Sequence, residues 1–243
     1  MLNILRKDKN PKVLVGTPLW TGHKISREIK TTIKRNDVPI LWYTYSGSNN
    51  IPTNWWLGLQ ELKKKVKKLP EYFIPLDRDI NMGRHMLDRM IDTFKDKRTP
   101  PNVAFVYCKF EFKGAVNRKF PADPYDLNRL IQGNYISSNS MMKRELLEFI
   151  GGPVMDDKYK RLLDWALWLK FAQMGFIGKA CHNASFVAMS SETDISAGTP
   201  EDYQLKHERV VEDFVKPLVD QYGKKSAQES AGPRQADTLV KVI

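Results

Sequence analysis

The strongest constraint on the fold is an alternation in the first 110 residues. Short runs rich in β-branched and aromatic side chains trade places with stretches of helical apolar spacing. Val13 to Gly16 is an apolar run closed by Thr17 and Pro18, and it predicts a buried strand that stops sharply. Ile25, Ile29 and Ile33 recur every fourth residue among Lys24, Arg27, Lys30, Lys34 and Arg35, which predicts a helix with one narrow apolar stripe. Ile40 to Tyr45 is a second strand, ending in the turn-forming Ser46 to Asn50. Trp55, Trp56, Leu59, Leu62, Val66 and Leu69 then follow helical spacing up to Pro70. Tyr72 to Leu76 is a third strand, Leu87 to Phe94 a third helix, and Val103 to Phe110 a fourth strand. Strand and helix in strict turn favour an α/β fold: a mostly parallel central sheet with helices on both faces.

The second half is less regular. Gly114 to Asp126 reads as a polar loop. Met141 to Ile150 reads as a helix opened by cap candidates at Ser137 to Ser140 and stopped by Gly151-Gly152-Pro153. Asp157 to Met174 reads as a long helix closed by Gly175, and Tyr203 to Tyr222 as a C-terminal one. From Gly223 the Ser, Gln, Ala, Gly and Pro content predicts a flexible tail. The expected organisation is one domain over residues 1–222 and a tail over 223–243.

The hydrophobic fraction of 42% supports a large core, which excludes disorder across the whole chain. Lys and Arg outnumber Asp and Glu by 39 to 28, and the resulting +11 attracts anionic partners. Its densest run is Lys63, Lys64, Lys65, Lys67 and Lys68. Cys108 and Cys181 have no metal-ligand spacing and read as reduced thiols. With no long apolar run and no signal-like start, a cytoplasmic protein is expected.

Three places could carry chemistry. Asp77-Arg78-Asp79 ends a strand, where ligands of open α/β sheets collect. Two carboxylates there repel unless a cation joins them, and a hard divalent ion would also hold a diphosphate. The competing reading is a surface loop with an internal Asp–Arg pair. Asp164 lies in an apolar stretch, Leu162 to Ala172, where an acid is costly unless it is paired or faces a cleft. Desolvation there would make it a better base near neutrality, although a neighbour such as Arg161 could simply satisfy it. Gly16-Thr17-Pro18 could let a ligand ring approach the backbone, or could be an ordinary strand end. No Gly-x-Ser-x-Gly, Walker loop or Gly-x-Gly-x-x-Gly occurs, so serine hydrolases, P-loop NTPases and dinucleotide oxidoreductases lack their motifs.

Taken together, Asn134 to Glu145, Ile150-Gly151-Gly152, Leu163 to Lys170 and Met174-Gly175-Phe176 resemble the C-terminal half of family 2 glycosyltransferases. That family's pattern is a polar loop into a helix, a Gly-Gly, and a Glu-Asp-Trp-x-Leu-Trp-like helix closed by Gly-aromatic. The resemblance implies a GT-A type fold. It further implies that Asp77 and Asp79 bind Mn²⁺ or Mg²⁺ and the donor diphosphate, and that Asp164 is the catalytic base. Gly16, Thr17, Pro18, Tyr45, Asn54, Asn139 and Trp165 are the expected substrate-binding positions. Two departures stand out: Leu163 replaces the acid that usually precedes Asp164, and the second strand ends in Tyr45-Ser46-Gly47 without the customary acid. In a second register, Asn81-Met82-Gly83-Arg84 would match the family's Asn-x-Gly loop and no Asp-x-Asp would remain.

The implied activity is metal-dependent, inverting transfer of a sugar from a nucleoside diphosphate sugar to a hydroxyl of a glycan, lipid-linked or protein acceptor. The rivals are an inactive nucleotide-sugar- or carbohydrate-binding protein on this fold, and a nucleic-acid-binding protein using Lys63 to Lys68. No nucleic acid is expected, because Trp55 and Trp56 suit a helix core better than a base-stacking platform. A basic face docked on anionic membrane beside a lipid-linked acceptor fits the main reading.

Overall fold

The computed structural model describes residues 1–20, 22–48, 50–78, 80–115, 117–190 and 199–229. Its strands are β1 (Leu2–Lys7), β2 (Val13–Pro18), β3 (Ile40–Tyr45), β4 (Tyr72–Pro75), β5 (Ile80–Met82), β6 (Val103–Gly114), β7 (Arg118–Phe120), β8 (Met141–Lys143) and β9 (Ile177–Ser190). Its helices are α1 (Arg27–Thr32), α2 (Ile51–Lys65), α3 (Met86–Lys95), α4 (Leu127–Gln132), α5 (Arg144–Phe149), α6 (Leu163–Gln173), α7 (Pro200–Val210) and α8 (Lys216–Glu229), with a π-type turn at Val211–Val215 between the last two.

All strands join one sheet, in the order β1-β3-β2-β4-β8-β6-β9-β5, with β7 on β6. Helices do cover both faces, but the sheet is mixed, not mostly parallel as expected. Parallel pairings are β2·β3, β2·β4 and β6·β9. Antiparallel ones are β1·β3, β4·β8, β5·β9, β6·β7 and β6·β8. The short β8 causes much of this: it runs against both β4 and β6, so the two parallel blocks never touch. It also replaces the start of the helix expected at Met141, since Met141 and Met142 are wholly buried strand residues and the helix begins only at Arg144.

Period-two alternation assigns the two sides. Ile40 and Trp42 of β3 join Val13, Val15 and the inner stripe of α1 and α3 in one core. Leu41 and Tyr43 face the other way and pack with Leu59 and Leu62 of α2 and with Trp165, Trp168 and Phe171 of α6. The long helix expected from Asp157 starts instead at Leu163, after a short 3₁₀ turn at Asp157–Tyr159. β9 was invisible to pattern reading because it carries Gly178, Lys179, His182 and Asn183 within its span. The C-terminal helix runs past Tyr222 to Glu229, and the rest of the expected tail lies outside the described residues. Among the described residues no helix is long and apolar enough to cross a membrane.

The ladders set a common direction. β3 and β4 are parallel to β2, and β8 runs against both β4 and β6, so β2, β3, β4, β6 and β9 all begin at one end and finish at the other. Thr17, Pro18, Tyr45 and Asp77 therefore gather at the finishing end.

Candidate functional site

Asp77 follows β4, where Leu76 N–H still donates to Gly16 O at 3.0 Å. Past that bond the chain leaves the sheet and exposes the half-buried Asp77 at its rim. Asn139, buried in the loop before β8, holds it from the side. Asp77 N–H donates to Asn139 Oδ1, and Asn139 Nδ2 donates to Asp77 Oδ2, each at 2.9 Å. The loop is itself tied down, with Ser140 Oγ donating to Ser137 O at 2.6 Å. Asp79 lies outside the described residues.

Asp164 enters from the other direction, on the first turn of α6. An acid there meets the positive end of the helix. Its Oδ1 accepts from Trp165 N–H at 2.9 Å. Burial pushes its carboxyl up to about 6, the amides of Trp165, Asp164 itself and Asn134 pull it back down, and the charge of Asp77 adds to the rise. Arg161, the neighbour that could have satisfied Asp164, is occupied elsewhere: it reaches Thr199 O at 3.5 Å and Asp202 at 3.8 Å.

The remaining positions divide. Thr17 is buried, and its hydroxyl accepts from Trp42 Nε1 at 2.9 Å. Pro18 lies beside Tyr45 at the strand ends. Asn54 is a latch: its Nδ2 donates to Leu19 O and Ser48 O, and its Oδ1 accepts from Ser48 N–H. That latch joins the loops after β2 and β3 at the finishing end of the sheet. Gly16 is small for its own packing, because a Cβ there would lie 2.6 Å from the Tyr43 hydroxyl. Trp165 is also a core residue: it is wholly buried, and its indole N–H donates to Leu130 O at 2.6 Å. Asn81 to Gly83 of the second register sit in and after β5, which pairs with β9 at the sheet edge and directly follows Asp77, Ile80 N–H donating to Asp77 O at 3.3 Å.

Two residues escaped the sequence reading. Asn134 supports the Asp164 carboxylate, and its place in the polar loop before Asn139 was the available signal. Trp20, just past β2, has a buried indole N–H with no hydrogen-bond partner among the described residues, and its ring lies 5.5 Å from that of His23. Nothing in the spacing marked it.

The basic run does not border this site. α2 begins at the finishing end, at Asn50 and Asn54, and ends near the start of β4, so Lys63 to Lys68 lie at the opposite end of the sheet. Trp55 is buried and Trp56 packs on Gly152, so neither offers a stacking platform. Among the described residues no three His, Cys, Asp or Glu side chains cluster to hold a metal.

No family model matches the sequence, and no curated protein does. The fold does have solved counterparts. S. aureus TarS matches with a TM-score of 0.55 at 12% identity, over 82% of this chain and 39% of TarS. Residues 1–349 of TarS in complex with UDP-GlcNAc match with a TM-score of 0.57 at 12% identity, over 82% of this chain and 65% of that one. This chain therefore spans about two fifths of TarS and just under two thirds of its 1–349 segment. The mannosyltransferase PcManGT from Pyrobaculum calidifontis, in complex with GDP-Man and Mn²⁺, is more distant, with a TM-score of 0.47. The chain thus has an α/β fold similar to that of TarS.

Proposed function

We propose that this chain transfers a sugar from a nucleoside diphosphate sugar to an acceptor hydroxyl, with inversion. What supports the reading is that Asp77, just after β4, lies near enough to Asp164, on the first turn of α6, for its charge to add to the rise of that carboxyl, on a fold similar to that of a protein solved with UDP-GlcNAc. A carboxyl near 6 is deprotonated at neutral pH yet basic enough to accept a proton. Asp164 takes the proton of the acceptor hydroxyl as its oxygen bonds to the anomeric carbon. The bond from that carbon to the diphosphate oxygen breaks, and its electron pair leaves with the diphosphate.

Asp77 is proposed as a ligand of a hard divalent cation, Mn²⁺ or Mg²⁺. Asp77 offers carboxylate oxygen, and Asn139 fixes its rotation. Asp79 is proposed as the second ligand. When bound, the ion neutralises charge on the leaving diphosphate. Thr17, Pro18 and Tyr45, at the finishing ends of β2 and β3, are proposed to sit nearest the nucleoside.

The alternative of an inactive sugar-nucleotide binder draws on Leu163, an apolar residue where the resemblance expects an acid. One experiment separates the two: the chain is incubated with a panel of uridine and guanosine diphosphate sugars, with and without Mn²⁺. Released nucleoside diphosphate and product mass are measured beside the melting temperature. Transfer or slow donor hydrolysis that Asp164→Asn abolishes supports the transferase. A donor-dependent rise in melting temperature without turnover supports the binder. Neither response refutes both.

A further inference from the structure

The end of the sheet opposite Asp77 and Asp164 combines two features the transferase reading leaves unused. One is apolar: Phe149 closes α5 with 65% of its surface exposed, edge-on to Phe176 at 6.2 Å, and Met174 at the end of α6 is 50% exposed. The other is cationic: Lys64, Lys65, Lys67 and Lys68 are exposed and have no ion-pair partner among the described residues. The Lys63–Glu148 pair at 3.1 Å places the two side by side, because Glu148 immediately precedes Phe149.

We propose that this end of the molecule docks on the surface of a bilayer containing anionic lipid, with Phe149 entering the interface and the α2 lysines meeting the headgroup phosphates. Charge complementarity singles out this occupant. A nucleic-acid backbone would satisfy the lysines and leave Phe149 in water. A second copy of the chain would set two lysine runs against each other. A bilayer surface accepts both parts at once, an aromatic ring at the headgroup level and cations in the negative surface potential. The docked orientation turns the Asp77–Asp164 rim away from the lipid by about the length of α2, on the order of 20 Å. If the transferase reading holds, the acceptor hydroxyl is therefore presented from the aqueous side; the docking does not depend on that reading.

The test uses the whole chain and vesicles of phosphatidylcholine with or without phosphatidylglycerol. The chain should sediment with the anionic vesicles only, and less at high salt. Phe149→Ser should weaken partitioning roughly tenfold, and Lys64→Gln with Lys65→Gln roughly fivefold per lysine. Both sites are exposed, so melting temperatures should match the unmodified chain. As a second measurement, Phe149→Cys carrying an environment-sensitive dye should shift to the blue on anionic vesicles, the native thiols being buried. Absence of sedimentation with anionic vesicles overturns the proposal, as does Phe149→Ser partitioning like the unmodified chain or a dye that does not respond. RNA binding or dimerisation that depends on the lysines, with vesicles unbound, assigns the face to those partners instead.

Discussion

Asn139 holds Asp77 by both of its polar ends. The carboxamide oxygen accepts from the Asp77 backbone, and the carboxamide nitrogen donates to the Asp77 side chain, each at 2.9 Å. No other residue type of this size supplies an acceptor and a donor in that geometry. Asn139→Ala should therefore cost about 1–3 kcal/mol in urea unfolding, the usual penalty for stranding buried partners. Asn139→Asp keeps the acceptor but turns an oxygen toward the Asp77 carboxylate. It should be less stable at pH 7 than at pH 4, where one of the acids is protonated. Equal stability at both pH values would show that the clamp does not operate.

Asp164 predicts two pH effects of opposite sign. Its folded-state carboxyl sits near 6, above its ordinary value, so the native state holds the proton more tightly than the unfolded chain. Stability from this group is therefore greatest at low pH and falls as pH rises toward about 6. Asp164→Asn should remove that slope and raise stability at pH 7 by up to about 1–3 kcal/mol. Activity should run the other way, rising with pH through about 6 as the base loses its proton. A variant with Asn at this position that keeps the ascending limb would remove Asp164 from the chemistry.

Asp77 is the proposed cation ligand. Asp77→Ala should abolish any rise in melting temperature caused by Mn²⁺ together with uridine or guanosine diphosphate, and should lower transfer by roughly a hundredfold or more. Asn139 would lose both partners only in part, because the backbone N–H of residue 77 remains. The fold should survive with a loss of about 1–2 kcal/mol. Nucleotide-dependent stabilisation by Mn²⁺ that is unchanged in this variant would move the cation elsewhere.

The strands and helices of the first half were legible because each was a short, strongly periodic element between turn residues. Val13–Pro18, Ile40–Tyr45 and Tyr72–Pro75 fall where the pattern placed them. The second half hid its strands for physical reasons. β8 has three residues and leads straight into α5, so Met141 and Met142 share a helix-like run with Leu146 and Leu147. β9 mixes Gly, Lys, His and Asn into a ladder whose exposure varies along its length, which blurs the period of two. Asp77 drew attention because it closes a strand, and Asp164 because it stands among apolar neighbours. The roles of Asn54 and Asn134 were not readable, since each depends on segments meeting across 30 or more positions of sequence, as in the Asn54–Leu19 bond.

Gly16 tests whether smallness near a site serves a ligand or the core. A Cβ at this position would lie 2.6 Å from Tyr43 Oη, 2.8 Å from its Cζ and 3.0 Å from the Phe73 ring. The Tyr43 hydroxyl cannot easily retreat, because it donates to Trp55 O at 2.5 Å on α2. Gly16→Ala should thus push Tyr43 against α2 and cost about 1–3 kcal/mol, the usual range for overpacking. Adding Tyr43→Phe removes the nearest clashing atom and should recover part of that loss. The double variant also decides the role of the glycine. If Gly16 is a packing residue, nucleotide affinity measured by calorimetry on the folded double variant should match the unmodified chain. If the gap is needed by a ligand ring, stability should return while affinity stays depressed, since the added methyl remains in the ligand's path.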